Sequence, residues 1–138
     1  MNLGVLKEQI IRHEGEVPHA YQDHLGYWTI GVGRLIDERR GGGLSEYEIE
    51  YLLDADIKRV HNQLTQRIAF WGRLSDSQQR ALCNMAFQLG VNGVLNFRRM
   101  LAALDRGDTA AAEAEALDSR WAVQTPNRAR EVAAMLRL

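Results

Sequence analysis

The 138-residue sequence predicts a mainly helical α+β fold, and three observations lead there. Leu3, Leu6 and Ile10 recur at helical spacing near the start. Residues 20–36 alternate in the manner of strands and carry turn glycines. Beyond them, Ile49, Leu52, Leu53, Ile57, Val60 and Leu64 form one apolar stripe along a helix of about five turns.

The elements follow in order. Residues 2–13 read as an amphipathic helix that Gly15 ends without steric cost, and Pro18 forbids its continuation. Residues 20–36 predict a small antiparallel sheet of two or three short strands. Arg39-Arg40-Gly41-Gly42-Gly43 reads as a flexible turn, because no lysine and hydroxyl residue follow the glycines as a phosphate-cradling loop requires. Ser45 and Glu48 have capping-box spacing and open the long helix, expected over about 45–64. Shorter helices are expected from Ser75 to Gly90, from about Asn96 to Leu104, through the alanine-rich 109–117, and after Thr125 as N-cap with Pro126 at the first helical position.

Composition narrows the function classes. One domain of this length buries roughly two-thirds of its unfolded surface without metals or disulfides. The single cysteine, Cys83, sits in an apolar helical pattern and reads as a small buried side chain rather than a nucleophile. His13, His19, His24 and His61 lack the spacing of a zinc site, so no metal and no cofactor is expected. A net charge of −1 and a pI near 6.4 argue against a general nucleic-acid binder. The charge is uneven: 44–56 carries five acids and no base, whereas Arg120, Arg128, Arg130 and Arg137 face only Glu131 in 119–138, a face able to meet an anionic wall. With no basic leader and no 18-residue apolar run, neither a signal peptide nor a membrane span is expected.

The chemistry concentrates between Glu14 and Gly33. Glu14 ends the first helix, Asp23 enters the hairpin nine positions later, and Thr29 follows on the next strand. Two carboxylates aimed at one cleft from different elements are what glycoside hydrolysis uses, one to protonate the leaving oxygen and one to activate water. The Thr29 hydroxyl is placed to hold that water. Tyr27 and Trp28 offer flat faces to sugars, but a small sheet needs aromatics for its core, and Trp28 is read as structural.

Glu14-Gly15, the spacing Glu-x8-Asp-x5-Thr and the run Tyr27-Trp28-Thr29-Ile30-Gly31-Val32-Gly33 together resemble the catalytic region of the T-even type phage lysozymes, endolysins that cut peptidoglycan glycan chains. Ser75-Asp76-Ser77-Gln78-Gln79-Arg80-Ala81-Leu82-Cys83-Asn84-Met85-Ala86-Phe87-Gln88-Leu89-Gly90 is similar to the family's central helix. Ser119-Arg120-Trp121-Ala122-Val123-Gln124-Thr125-Pro126-Asn127-Arg128-Ala129-Arg130 is similar to its C-terminal signature. The chain departs from the family at Arg34, where a histidine is common, and in a shortened stretch from Ile36 to Gly43.

The resemblance implies a lysozyme-like fold over residues 1–138: a small lobe at about 14–44, a connecting helix at about 45–64, and a helical lobe at about 65–138 joined by the N-terminal helix 2–13. It implies an inverting muramidase with Glu14 as general acid and Asp23 with Thr29 activating water, the groove bordered by Leu35, Phe87, Gln88, Met100 and Glu115. Arg128 is implied to approach Glu14 and lower its pKa, against burial that would raise it, and Trp121 to lie in the core. Arg34 is expected to pair with Asp56. The implied partner is peptidoglycan, reached by a monomer from the host cytoplasm after holin action, in the periplasm of a Gram-negative host. Two other readings stand beside it: a lytic transglycosylase, which works with a single acid, and a wall-binding module of the same fold without activity.

Overall fold

The first helix begins where Asn2 accepts a hydrogen bond from the Val5 amide (3.1 Å) and ends where Gly15, at φ 78°, donates to the Ile11 carbonyl. The computed structural model describes residues 1–37 and 41–138, so the reading of Arg39 and Arg40 as part of a turn lies outside the described residues. The chain forms two compact units, Met1–Tyr51 and Leu52–Leu138.

In the first unit, α1 (Leu3–Glu14) leads into β1 (Val17–Gln22), β2 (Trp28–Gly31) and β3 (Arg34–Leu35). The sheet is antiparallel in the order β1-β2-β3, which makes β1 an edge strand and explains how it tolerates Pro18. Thr29 lies on the central strand, paired with Tyr21 on one side and Leu35 on the other. It is the one buried residue among those described in this unit, at 2% exposure. Trp28 is 49% exposed, so the expectation of a structural role in a small core does not hold. It opens β2 opposite Gln22, where the sheet has too few apolar partners to cover an indole.

Helix α2 (Glu46–Arg67) starts with the expected capping box: Ser45 Oγ accepts from the Glu48 amide (3.2 Å), and a Glu48 carboxylate oxygen accepts from the Ser45 amide (3.0 Å). Of its predicted apolar stripe, Val60 and Leu64 are buried, while Ile49, Leu52, Leu53 and Ile57 remain 44–53% exposed. The periodicity therefore located the helix but overstated how much of its length is covered.

The second unit follows α2 with a 3₁₀ turn (Trp71–Arg73) and α3 (Asp76–Leu89), α4 (Val91–Leu95), α5 (Arg98–Asp105), α6 (Thr109–Leu117), α7 (Arg120–Gln124) and α8 (Pro126–Met135). Its core surrounds α3, whose Ala81, Leu82, Met85 and Ala86 are buried together with Val94, Met100, Trp121 and Leu136. The Ser75–Gln78 capping box opens α3, and Ser77 Oγ and Gln78 Nε2 donate to the Met135 and Leu136 carbonyls at the end of α8. Thr125 stands at the N-cap of α8, with Pro126 in its first turn, but does not cap with its side chain. Its hydroxyl instead donates to the Trp121 carbonyl (3.2 Å) and accepts from Gln88 Nε2 (3.3 Å).

Candidate active site

Asp23 closes the β1–β2 hairpin with its own side chain. Oδ1 accepts the backbone N–H groups of Leu25 and Tyr27, both at 2.9 Å, while the main chain of Gly26 donates to the Asp23 carbonyl. These bonds hold a partly buried carboxylate at one orientation to the sheet. The Asp23 amide donates back to the Tyr27 carbonyl at 2.9 Å, and the same carbonyl accepts the Thr29 hydroxyl at 3.0 Å. Both backbone polar groups of Tyr27 are thus engaged, one joining it to Asp23 and the other shared by Asp23 and Thr29. With its proton given to Tyr27, Thr29 Oγ1 offers lone pairs to anything that meets it.

Glu14 occupies the last position of α1, and its exposed side chain lies against the loop between β2 and β3. A methyl group built on Gly33 in that loop would stand 2.8 Å from Glu14 Oε2 and 3.0 Å from Glu14 Cδ. All three sequence-selected residues, Glu14, Asp23 and Thr29, therefore lie in the first unit, carried by a helix end, a hairpin and the central strand.

The basic residue on this hairpin pairs differently from expectation. Arg34 reaches both Glu48 carboxylate oxygens at 3.0 Å and the Gly43 carbonyl at 3.2 Å, whereas Asp56 pairs with Arg59 at 2.8 Å. The predicted Arg34–Asp56 bridge is corrected accordingly. Asp56 lies eight residues beyond Glu48, about 12 Å further along the helix axis, while Glu48 sits in the first turn of α2. Bonds from the Ser45 backbone, then from Arg34 and the Ser45 side chain, pull the Glu48 carboxyl down from 4.5 to about 2.

In the second unit the proposed groove residues separate. Phe87 is 48% exposed and lines a cleft of about 530 Å³ with Asn84, Cys83 and Arg128. Met100 and Glu115 line a different cleft of about 710 Å³ beside Phe97, Ser119 and Trp121, but Met100 is 1% exposed and belongs to the core. Gln88 accepts from buried Trp121 Nε1 (2.9 Å) and donates to Thr125, so its amide serves the packing of α7. Leu35 remains on β3, partly buried. Arg128 is held by Asn84, which takes its Nε (3.0 Å) on the side chain and its Nη2 (3.2 Å) on the carbonyl. Cys83 is partly exposed rather than buried, and desolvation pushes its thiol up, away from the thiolate a nucleophile needs. Among the described residues, no group of three or more His, Cys, Asp and Glu could hold a metal ion.

Gly33 and Asn84 were not selected from the sequence, and Tyr27 and Glu48 were selected only as a flat face for sugars and as a helix cap. Asp23-His24-Leu25-Gly26 did carry a signal for the Leu25 bond, since Asp opening a four-residue turn that ends in Gly favours a side-chain bond to the backbone two residues on.

A helical protein with a small three-stranded sheet and two acids carried by a helix end and the adjoining hairpin has the architecture of a lysozyme. Residues 11–137 match the model of the phage lysozyme family, and the chain belongs to that family. It is similar to the probable T4-type lysozyme 1 of Dictyostelium discoideum, 28% identical over 95% of this chain and 92% of that protein. The pre-baseplate central spike protein Gp5 of Enterobacteria phage T4 is 31% identical over 92% of this chain, which spans 26% of that longer protein. An endolysin of Acyrthosiphon pisum secondary endosymbiont phage 1 is 31% identical over 77% of this chain and 70% of its own. The protein is a lysozyme-like peptidoglycan hydrolase.

Proposed function

We propose that the enzyme is a muramidase that hydrolyses the β-1,4 bond between N-acetylmuramic acid and N-acetylglucosamine with inversion. The observation that carries this reading is the shared Tyr27 peptide, which ties the Asp23 loop and the Thr29 hydroxyl together in the unit that also holds Glu14. Glu14 protonates the leaving glycosidic oxygen. Asp23 takes a proton from the attacking water, which Thr29 Oγ1 orients by accepting its other proton. Inversion requires room for that water, with the carboxyl groups roughly 6.5–9.5 Å apart during reaction.

Leu35, Phe87 and Glu115 are proposed to border the saccharide, and Arg128 to position Glu14. The same reading makes the protein a monomeric host-lysis enzyme, held in the host cytoplasm until a holin releases it to the wall. The endolysin relative supports that role. Among the described residues, no helix is long and apolar enough to cross a membrane.

The test is digestion of purified peptidoglycan with analysis of the new ends. Reducing-end N-acetylmuramic acid, released first as the inverted anomer by proton NMR, is the expected product. Anhydro sugars would identify a transglycosylase, a reducing-end N-acetylglucosamine would reassign the bond, and no product would leave a wall-binding module.

A further inference from the structure

Gly31, the last residue of β2, and Gly33, in the loop that leads to β3, flank Val32, and both have positive φ, 70° and 65°. L-residues with a side chain enter this region at a cost, so each position favours glycine on backbone grounds. Their surroundings differ. A Cβ on Gly31 would meet nothing within 4 Å, whereas one on Gly33 would meet Glu14 Oε2 at 2.8 Å, Cδ at 3.0 Å and Cγ at 3.2 Å. The carboxyl end of Glu14 thus occupies the space that any other residue at Gly33 would fill.

We propose that Gly33 is a positioning residue for the reaction, its bare Cα forming the surface against which the Glu14 carboxyl is seated. The three contacted atoms form the end of a flexible side chain, so a methyl group there displaces the carboxyl before it disrupts the loop. Displacements of about 1 Å in a reacting group cost on the order of 10²-fold in rate. Gly33 acts through Glu14 and touches neither water nor sugar in this account. The inference rests on the assignment of Glu14 as the acid, and it adds a requirement that the acid alone does not state.

Gly31 supplies a matched control, because Gly31→Ala imposes a comparable backbone penalty with no contact to the carboxyl. Expected for Gly33→Ala is a loss of kcat of about 10²-fold on soluble peptidoglycan fragments with KM little changed, while Gly31→Ala keeps its kcat. In parallel, the ¹³Cδ resonance of Glu14 shifts in Gly33→Ala and stays in place in Gly31→Ala. Gly33→Asn, a residue type that tolerates positive φ, carries the same Cβ and replaces the alanine variant where that one folds poorly. Equal losses of kcat in the two alanine variants, or an unmoved Glu14 resonance in both Gly33 variants, overturn the proposal. Full activity in Glu14→Gln would remove the acid assignment instead, and the resonance measurement would still decide whether Gly33 seats that carboxyl.

Discussion

Two substitutions at Asp23 separate what its charge does from what its oxygen holds. Asp23 Oδ1 accepts two backbone N–H groups at 2.9 Å, so Asp23→Ala unties the β1–β2 loop as well as removing the carboxylate. At about 1.5–3 kcal/mol for each bond to a charged acceptor, the loop loses at least about 3 kcal/mol, equivalent to a rise in local opening of roughly 150-fold or more. Amide hydrogen exchange at Leu25 and Tyr27 reads that quantity directly, even if the two units unfold separately. Asp23→Asn keeps an oxygen acceptor in the same place and should leave both amides protected. It nevertheless removes the proposed base, for which a loss of about 10²- to 10⁴-fold in turnover is expected. Wild-type turnover in Asp23→Asn would show that the residue only shapes the loop, and unchanged exchange in Asp23→Ala would refute the tie.

Glu14→Gln should abolish turnover on peptidoglycan while changing stability by no more than about 1 kcal/mol, checked by denaturant titration, because Glu14 is exposed. For Glu48 the folded pKa is depressed, from 4.5 to about 2. Its stabilising contribution is therefore complete above the unfolded value and is lost as pH falls between about 4.5 and about 2, a slope that Glu48→Gln removes and that carboxyl NMR of Glu48 follows. Gln88→Ala should destabilise the second unit by about 1–3 kcal/mol in thermal unfolding, since it leaves the indole N–H of buried Trp121 without its acceptor.

The fold was legible where local chemistry decides it. Caps at Ser45 and Ser75, the glycine after Glu14 and the alternation through the hairpin all act within a few residues, and these elements were placed to within one to three residues. Glu14, Asp23 and Thr29, the proposed catalytic residues, could be selected for the same reason, since one short segment carries all three. What escaped depends on distance through space. The partner of Arg34 follows from where Gly43 and the first turn of α2 meet the hairpin, which spacing along α2 does not reveal. The partial exposure of the α2 stripe and the division of Phe87 from Met100 between two clefts likewise belong to tertiary packing. Thr125 shows the limit of a local rule: the cap position was right, but its hydroxyl bonds Trp121 and Gln88 instead of the helix amides.

The Tyr27 carbonyl has a chemical consequence beyond holding the hairpin. A threonine hydroxyl can donate to a water or accept from it, and the two cases differ in what they leave for reaction. If Thr29 donated, the bond would draw on a lone pair of the water and weaken it as a nucleophile. While its proton stays on the Tyr27 carbonyl, 3.0 Å away, Thr29 Oγ1 meets a water as an acceptor. In the proposed mechanism a water between Thr29 and Asp23 points one proton at each, and its lone pairs face away from both, toward an anomeric carbon. The backbone that closes the Asp23 loop thereby also sets the hydrogen-bond polarity of Thr29. In the proposed mechanism Thr29→Val, which removes this hydroxyl and keeps the branched shape, would impair attack while leaving Glu14 and Asp23 in place.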